Sequence, residues 1–486
     1  MAKYIVTQHG VDGNEKSERR AAPLWMLWWN AIVLLRPAFA RTQSFLWFVT
    51  VVAGLTVGTD TFGVMSVVRA LHLDIHFYDM LLKHFRGNGV RADALAALWA
   101  KIVMTRLFPR PVRVGGRRVL VGDGIKAPKC GRKMPAVRLV HQESETKPTW
   151  AMAHSLQAVS ALVHAGESIV AVPLTMRIHQ GVVWCNAHKQ TLLTKMLALL
   201  NTVAADDPYV FIADAYYATR TIILGMLARG NHVVTRVRNN AVANVPYVHE
   251  GPRKRGRPRI YGEKIALASL LKNRKALLSA LSPLHSEANI TLHYAVRDLF
   301  WKPVGKIVRF VAVIHPTKGS WLLLCSDTSM DSLEIIRLYG LRFRIELGFK
   351  QAVHTIGTFC YRFWMRAMTP LRYGDGDQYL HRKSREYREA VASKLASYHL
   401  FIQAGIVAQG LLQYLSAAFP EAIWHAFGSR LRTIRPGVPP SEFVVAEALR
   451  RKLPDFLAGS ADCHPFAKFI TERQDLDHAA MFRMVA

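Results

Sequence analysis

Apolar residues recur at helical spacing from Pro23 to about Leu107, and nothing in that span alternates as a strand would. Trp25, Trp28, Trp29, Ile32 and Leu35 form one such stripe, and residues 64–73 and 93–107 continue it. The pattern predicts an all-α N-terminal domain over 23–108 behind a loose, polar segment at 1–22. The tryptophan stripe suits a core; a base-stacking platform is the alternative. No charge lies between Arg41 and Asp60, a run that reaches the length of a membrane-spanning helix. Thr42, Gln43, Ser44, Thr50, Gly54, Thr56, Gly58 and Thr59 suit lipid poorly, so the expectation is a buried core helix and no membrane.

From Arg113 the periodicity shortens. Val119-Leu120-Val121-Gly122-Asp123 is an apolar run ending in an acid, the way a buried strand delivers a carboxylate at its tip. Strands are predicted at 156–163 and 169–174, joined by a hairpin turn at His164-Ala165-Gly166-Glu167. A helix follows over 188–203. Then Tyr209-Val210-Phe211-Ile212-Ala213-Asp214 repeats the device of an apolar run ending in aspartate. A helix at 219–229, stopped by Gly230, and a strand at 232–238 complete this part.

Beyond it, runs at 290–297, 307–315 and 320–325 predict β structure in a segment inserted over 239–330. A helix then carries Tyr339, Arg342, Glu346 and Lys350 in steps of three, four and four. At about 100° per residue these four fall on one face, while Leu338, Leu341, Ile345 and Phe349 form a second, core-facing stripe. Asp331 is placed to cap that helix, with Glu334 at the capping-box position. A surface helix laced with charge pairs such as Glu346 and Lys350 is the plain alternative. Residues 372–389 are mixed in charge and fit a DNA-reaching loop or a solvated linker. A long apolar helix over 397–419 closes the core, and 420–486 read as a small helical C-terminal appendage.

Charge narrows the partner. With 64 Lys and Arg against 34 Asp and Glu, the formal charge is +30 over 486 residues, which draws a polyanion, nucleic acid first. At 51 % hydrophobic residues the chain is globular, not a basic tail. Five cysteines, with no Cys-x-x-Cys pair, indicate neither a zinc site nor a disulfide framework and fit a reducing cytoplasm. Two basic clusters stand out. Lys126, Lys129, Arg132, Lys133 and Arg138 follow Asp123, and read either as a solvated loop or as a phosphate-gripping segment. Arg253, Lys254, Arg255, Arg257 and Arg259 surround a Gly-Arg-Pro centre that resembles an AT-hook, a form suited to a narrow minor groove. Holding phosphates without sequence preference is the alternative. Arg236 and Arg238, at the end of the 232–238 strand, are further candidate DNA contacts.

The order strand-with-acid, two strands, helix, strand-with-acid, helix, strand, then the Glu346 helix, matches a ribonuclease-H-like core, where two strand ends and one later helix converge. The fold class is therefore α/β: that mixed-sheet core over 109–238 and 331–419, interrupted by the β-containing insertion and preceded by the all-α domain. Asp123, Asp214 and Glu346, without imidazole or thiolate partners, favour a hard, oxygen-loving ion such as Mg²⁺, with Mn²⁺ a substitute. Two such ions about 4 Å apart clamp the attacking and leaving oxygens of a phosphoryl displacement.

These features together resemble a DDE transposase of bacterial insertion sequences, in the group with a Tyr-Arg-Glu-Lys signature, over roughly residues 110–415. The likeness implies Asp123, Asp214 and Glu346 as catalytic metal ligands, and Tyr339 and Arg342 as contacts to element-end phosphates. The family's lysine lies further past the glutamate, where this chain has Ala352 and Val353; Lys350, one turn beyond Glu346, is the substitute. The likeness further implies cleavage of terminal inverted repeats in double-stranded DNA, 3′-OH transfer to a target, a homodimer on DNA and a bacterial, nucleoid-associated setting. A nuclease that only hydrolyses, or a DNA-binding protein of the same fold without chemistry, is the alternative.

Overall fold

In the computed structural model, which describes residues 23–475 except 88, 143–147, 188–189, 205–206, 248–259, 274–275, 286, 288, 429–433 and 436, the strand-forming runs join one sheet. Strands β1 (Arg117–Pro128), β2 (Trp150–Ala165), β3 (Ser168–Ile178), β4 (Tyr209–Ala213) and β5 (His232–Val237) lie in the order β3-β2-β1-β4-β5. β1 runs antiparallel to β2 and parallel to β4, and β4 is parallel to β5. Parallel neighbours need crossovers, supplied by helices α6 (Leu192–Val203) and α7 (Arg220–Leu227), whose starts are capped by the Thr191 and Thr219 hydroxyls. Every residue of β4 is buried, which is why its sequence is apolar throughout and does not alternate. The two-residue hairpin between β2 and β3 turns at Gly166, whose φ of +59° is open to glycine. This is the ribonuclease-H-like mixed α/β arrangement.

The inserted segment widens that sheet. β6 (Val242–Pro246), β7 (Tyr261–Ala266), β8 (Leu278–Leu281), β9 (Thr291–Trp301), β10 (Lys306–His315) and β11 (Gly319–Cys325) continue outward from β5. β11 pairs antiparallel with β5 from Val234 to Val237, so the N–H and C=O groups of β5 that would face solvent are paired.

Among the described residues, five α-helices precede the sheet: α1 (Leu24–Ile32), α2 (Thr42–Val57), α3 (Val64–Ala70), α4 (Phe77–Arg86) and α5 (Ala92–Ile102). Trp25 and Trp28 are fully buried, so that stripe is core. α2 is buried from Trp47 to Val57, and its Thr50 and Thr56 hydroxyls donate back to the Leu46 and Val52 carbonyls, which removes the cost of their polarity. Helices α8 (Ser332–Leu341) and α9 (Arg344–Gln351) follow the sheet. α10 (Arg385–Ala418) starts earlier than its apolar run, at a Ser384 cap, and takes in part of the polar 372–389 stretch. It is long and apolar enough to cross a membrane, yet 89 % of its most apolar window is buried inside the protein.

α10 lies against β3, α2, α4 and α5, and Arg177 of β3 pairs with Asp93 of α5 at 3.0 Å. The described residues between Pro420 and Asp475 pack back onto the first helices and do not stand apart as an appendage. α11 (Pro420–Phe427), α12 (Glu442–Ser460) and α13 (Pro465–Thr471) return to the first helices. Trp25 Nε1 donates to Leu449 O at 2.9 Å, its ring stacks on Phe456, and Arg450 donates to Val57 O at 2.7 Å. Apolar faces near both ends of the described chain complete one helical core, which local periodicity could not reveal.

Candidate active site

The two aspartates are positioned by strand register. β1 and β4 pair in parallel up to Val121 opposite Ile212. Two steps further, Asp123 is level with Asp214, where β4 ends. Asp123 is therefore not at a strand tip, since β1 continues to Pro128 against β2; it stands where its other neighbour stops. Asp214 caps the short turn that follows, its Oδ1 accepting from Tyr216 N at 3.1 Å, while its carbonyl accepts from Thr235 Oγ1 at 2.6 Å. Gly122, next to Asp123, is packed so closely that an added Cβ would lie 2.5 Å from the Phe211 ring.

Glu346 arrives differently. The single helix expected through Tyr339 and Lys350 is interrupted at Arg342–Phe343, where α8 gives way to α9. Across the junction the amides of Arg342, Ile345 and Glu346 bond three residues back, to Tyr339, Arg342 and Phe343. Gly340, a weak helix former, precedes the junction and leaves room for Leu284, whose methyl would lie 2.4 Å from a Cβ there. Asp331 caps α8 through Leu333 N and Glu334 N; Glu334 turns to Arg337 at 2.5 Å and leaves the capping box half made. α8 lies over β4, β5, β10 and β11, and α9 over β1 and β3, so the junction spans the strands that carry the aspartates.

Arg342 occupies that junction. Its Nη1 donates to Asp123 Oδ2 at 2.8 Å and its Nη2 to Glu346 Oε1 at 2.5 Å, joining an acid of the sheet to the acid of the helix. Burial pushes the Asp123 carboxyl up to about 6, and the charges of Asp214 and Glu346 push the same way, against Gly124 N–H and Arg342. Burial also disfavours the Arg342 charge, which the two carboxylates more than restore. Burial holds the Tyr339 phenol above its usual range, with Arg342, Arg236 and Asp214 close enough to act on it. Beneath the acids lies a chain the sequence did not signal: Gln157 Nε2 donates to Tyr217 OH at 2.7 Å, and Gln157 Oε1 meets His179 Nδ1 at 2.6 Å. Only the step of three from Asp214 to Tyr217 hints at it.

Asp123, Asp214, Glu346, Tyr339, Arg342 and Arg236 thus gather at one place. Lys350 is exposed at the end of α9, and Arg238 is exposed beyond β5. Lys126 is exposed on β1 itself, Arg132 is exposed, and Lys133 is half-buried with Nζ donating to Arg366 O at 3.3 Å. Lys129 does not grip from the surface. It turns inward, donates to Phe359 O and sits 3.7 Å over the Tyr361 ring, where burial pushes its ammonium down to about 7. Arg253, Lys254, Arg255, Arg257 and Arg259, with the resemblance to an AT-hook, lie outside the described residues.

Among the described residues no three His, Cys, Asp or Glu side chains are gathered closely enough to hold a metal ion as they stand. The donor set nevertheless suits a divalent cation. The charges of Asp214 and Glu346 add to the proton affinity of Asp123, and a cation, the Arg342 guanidinium, lies between Asp123 and Glu346. Asp123, Asp214 and Glu346 would hold the ion once that guanidinium gave way.

A family described as DDE superfamily endonuclease matches residues 35–282, just over half of the 486-residue chain. The match includes Asp123 and Asp214 and ends before Glu346. No curated protein matches. Among solved structures, a piggyBac transposase synaptic complex with hairpin DNA aligns with 89 % of this chain and 75 % of its own, at 10 % identity and a TM-score of 0.34. A likeness that loose carries no argument.

Proposed function

The chain belongs to the DDE superfamily endonucleases, and from that membership we propose that it is a DNA transposase, cleaving the ends of its own element and joining the freed 3′-OH to target DNA. The observation that carries this reading is the bridge from Asp123 through Arg342 to Glu346, with Asp214 level with Asp123. It draws acids from a strand and a late helix to one point beside a second strand end.

The DDE endonuclease superfamily generally uses divalent metal ions, and Asp123, Asp214 and Glu346 would be the ligands here. Bound ions, Mg²⁺ or Mn²⁺, would lower the pKa of water or a 3′-hydroxyl and stabilise the leaving oxyanion. The residues do the rest. Register fixes the two aspartates relative to each other, and α9 brings Glu346 to them. Arg342 bridges two acids and offsets part of their charge until a phosphate of the DNA offers its guanidinium another partner. Tyr339 and Arg236 flank it on the same approach. Lys126 and Arg132 draw double-stranded DNA with salt-dependent affinity. Pairing two ends calls for two copies of the chain.

The test is cleavage of a plasmid carrying the gene's own flanking ends, in Mg²⁺ and in chelator. Asp214→Ala leaves DNA binding near wild type and lowers cleavage about a thousandfold or more, a loss of about 4 kcal/mol of transition-state stabilisation. Retained cleavage in that variant removes the assignment. Tight binding with no nicks from the wild type in either metal makes this a DNA-binding protein without chemistry.

A further inference from the structure

Two segments far apart in sequence leave the site together. Residues 129–139 continue the strand of Asp123, and residues 357–379 follow the helix of Glu346. Backbone bonds zip them into one ledge: Met365 N to Lys133 O at 2.9 Å, Leu371 N to Arg132 O at 2.7 Å, Leu139 N to Asp375 O at 2.8 Å. The ledge begins six residues past Asp123, about 20 Å along the extended chain.

Along 361–366 burial alternates at every residue. Tyr361, Phe363 and Met365 are buried, while Arg362, Trp364 and Arg366 are exposed. The inner set is anchored: Tyr361 OH meets His154 Nδ1 at 2.8 Å, and Tyr398 OH donates to Phe363 O at 2.5 Å. The outer set therefore presents arginine, tryptophan and arginine on one exposed side. Trp364 is 62 % exposed, and so is half of Phe62 nearby, whose ring lies under both Arg69 and Arg362. Arg132 adds a cation from the partner segment. The acids along the ledge are engaged: Asp377 pairs with Arg138 at 2.7 Å, Asp375 accepts from Arg372 N at 2.7 Å, and Asp60 holds Ser66 and Arg69.

Cations alone would suit any phosphate backbone. A bare indole between two arginines needs more, because duplex bases have both faces covered by their neighbours and cannot stack on it. An unpaired strand offers base faces and phosphates alternately, the same alternation as the ledge. We propose that this ledge carries an unpaired stretch of DNA strand away from the active site, with a base on Trp364 and phosphates on Arg362 and Arg366. The proposal rests on the endonuclease reading for its substrate and adds the strand's state and path.

The test is fluorescence anisotropy of the full-length protein in chelator, so that nothing is cleaved. The probes are a labelled blunt duplex and the same duplex with a six-nucleotide unpaired tail. Wild type binds the tailed probe more tightly. Trp364→Ala weakens the tailed probe about tenfold and leaves the blunt one unchanged, as loss of one base stack requires; Trp364→Phe recovers most of the difference. Arg362→Gln with Arg366→Gln weakens the tailed probe and flattens its salt dependence. Equal losses on both probes, or none, overturn the ledge. Because no chemistry is involved, a protein that distinguishes tails but never cleaves fails the endonuclease reading alone. One that cleaves while Trp364→Ala is silent fails the ledge alone.

Discussion

The sheet side and the helix side of the site are built on different principles. Asp123 and Asp214 stand on strands whose neighbours are buried on both faces, so their separation follows from backbone register. Glu346 stands on an eight-residue helix, entered through a tightened turn, with its side chain 39 % exposed and tied to Arg342. The first pair cannot shift without unpacking a core; the third acid can shift by exchanging one ion pair. A site assembled this way has two acids fixed in advance and a third that completes the set. Substitutions on each side should fail in different ways.

The largest expected effect is on the sheet side. In Gly122→Ala the new methyl meets Phe211 ring carbons at 2.5 and 2.7 Å and Ala158 O at 3.3 Å. Phe211 is fully buried and has nowhere to turn. Overpacking of that kind costs about 1–3 kcal/mol and displaces Asp123, the next residue. The melting temperature and the cleavage rate should both fall. A variant that melts like wild type would show that the strands yield, and the comparison would lose its rigid half.

Arg342→Gln probes the link between the sides. The guanidinium bridges Asp123 and Glu346 at 2.8 and 2.5 Å and offsets part of their charge, so a divalent ion must compete with it. Without it, Mn²⁺ binding to the DNA-free protein should tighten about tenfold, about 1.4 kcal/mol, read by calorimetry or the loss of the free-ion electron spin resonance signal. Cleavage should nevertheless fall, since Arg342 is also the proposed phosphate contact. Unchanged Mn²⁺ affinity would mean that the bridge does not stand where the ion goes.

The same division explains what could be read from the chain. Apolar runs ending at Asp123 and Asp214 announce buried strands delivering carboxylates, because burial and strand formation are both local signals. The steps from Tyr339 to Arg342 and Glu346 place those residues on one face, and that survives the junction between α8 and α9. The junction itself was illegible: no proline marks it, and the close approach of Leu284 to Gly340 is a contact 56 residues away. Lys129 looks like its basic neighbours in sequence, and only Phe359 and Tyr361, some 230 positions on, reveal that it points inward. The return of Leu449 to Trp25 spans 424 positions. Periodicity reports which face of an element is buried, not what buries it.

The smallest expected effect lies on the helix side and has the opposite sign. Gly348 is two residues past Glu346 on α9, and an added methyl there would meet only Ala171 O and Gln409 Nε2, both at 3.8 Å, an ordinary contact. Its carbonyl accepts from Gln409 Nε2 at 3.0 Å, a bond that alanine keeps. Replacing a helical glycine with alanine recovers up to about 1 kcal/mol of backbone entropy, so Gly348→Ala should melt slightly higher and cleave at the wild-type rate. The sheet side refuses a methyl one residue from its acid, while the helix side accepts one two residues from its own. A fall in stability as large as that of Gly122→Ala would mean that α9 is packed as tightly as the strands. Glu346 would then be fixed by packing, as the aspartates are, and Arg342 would be an ornament on a rigid triad instead of the group that holds its movable member.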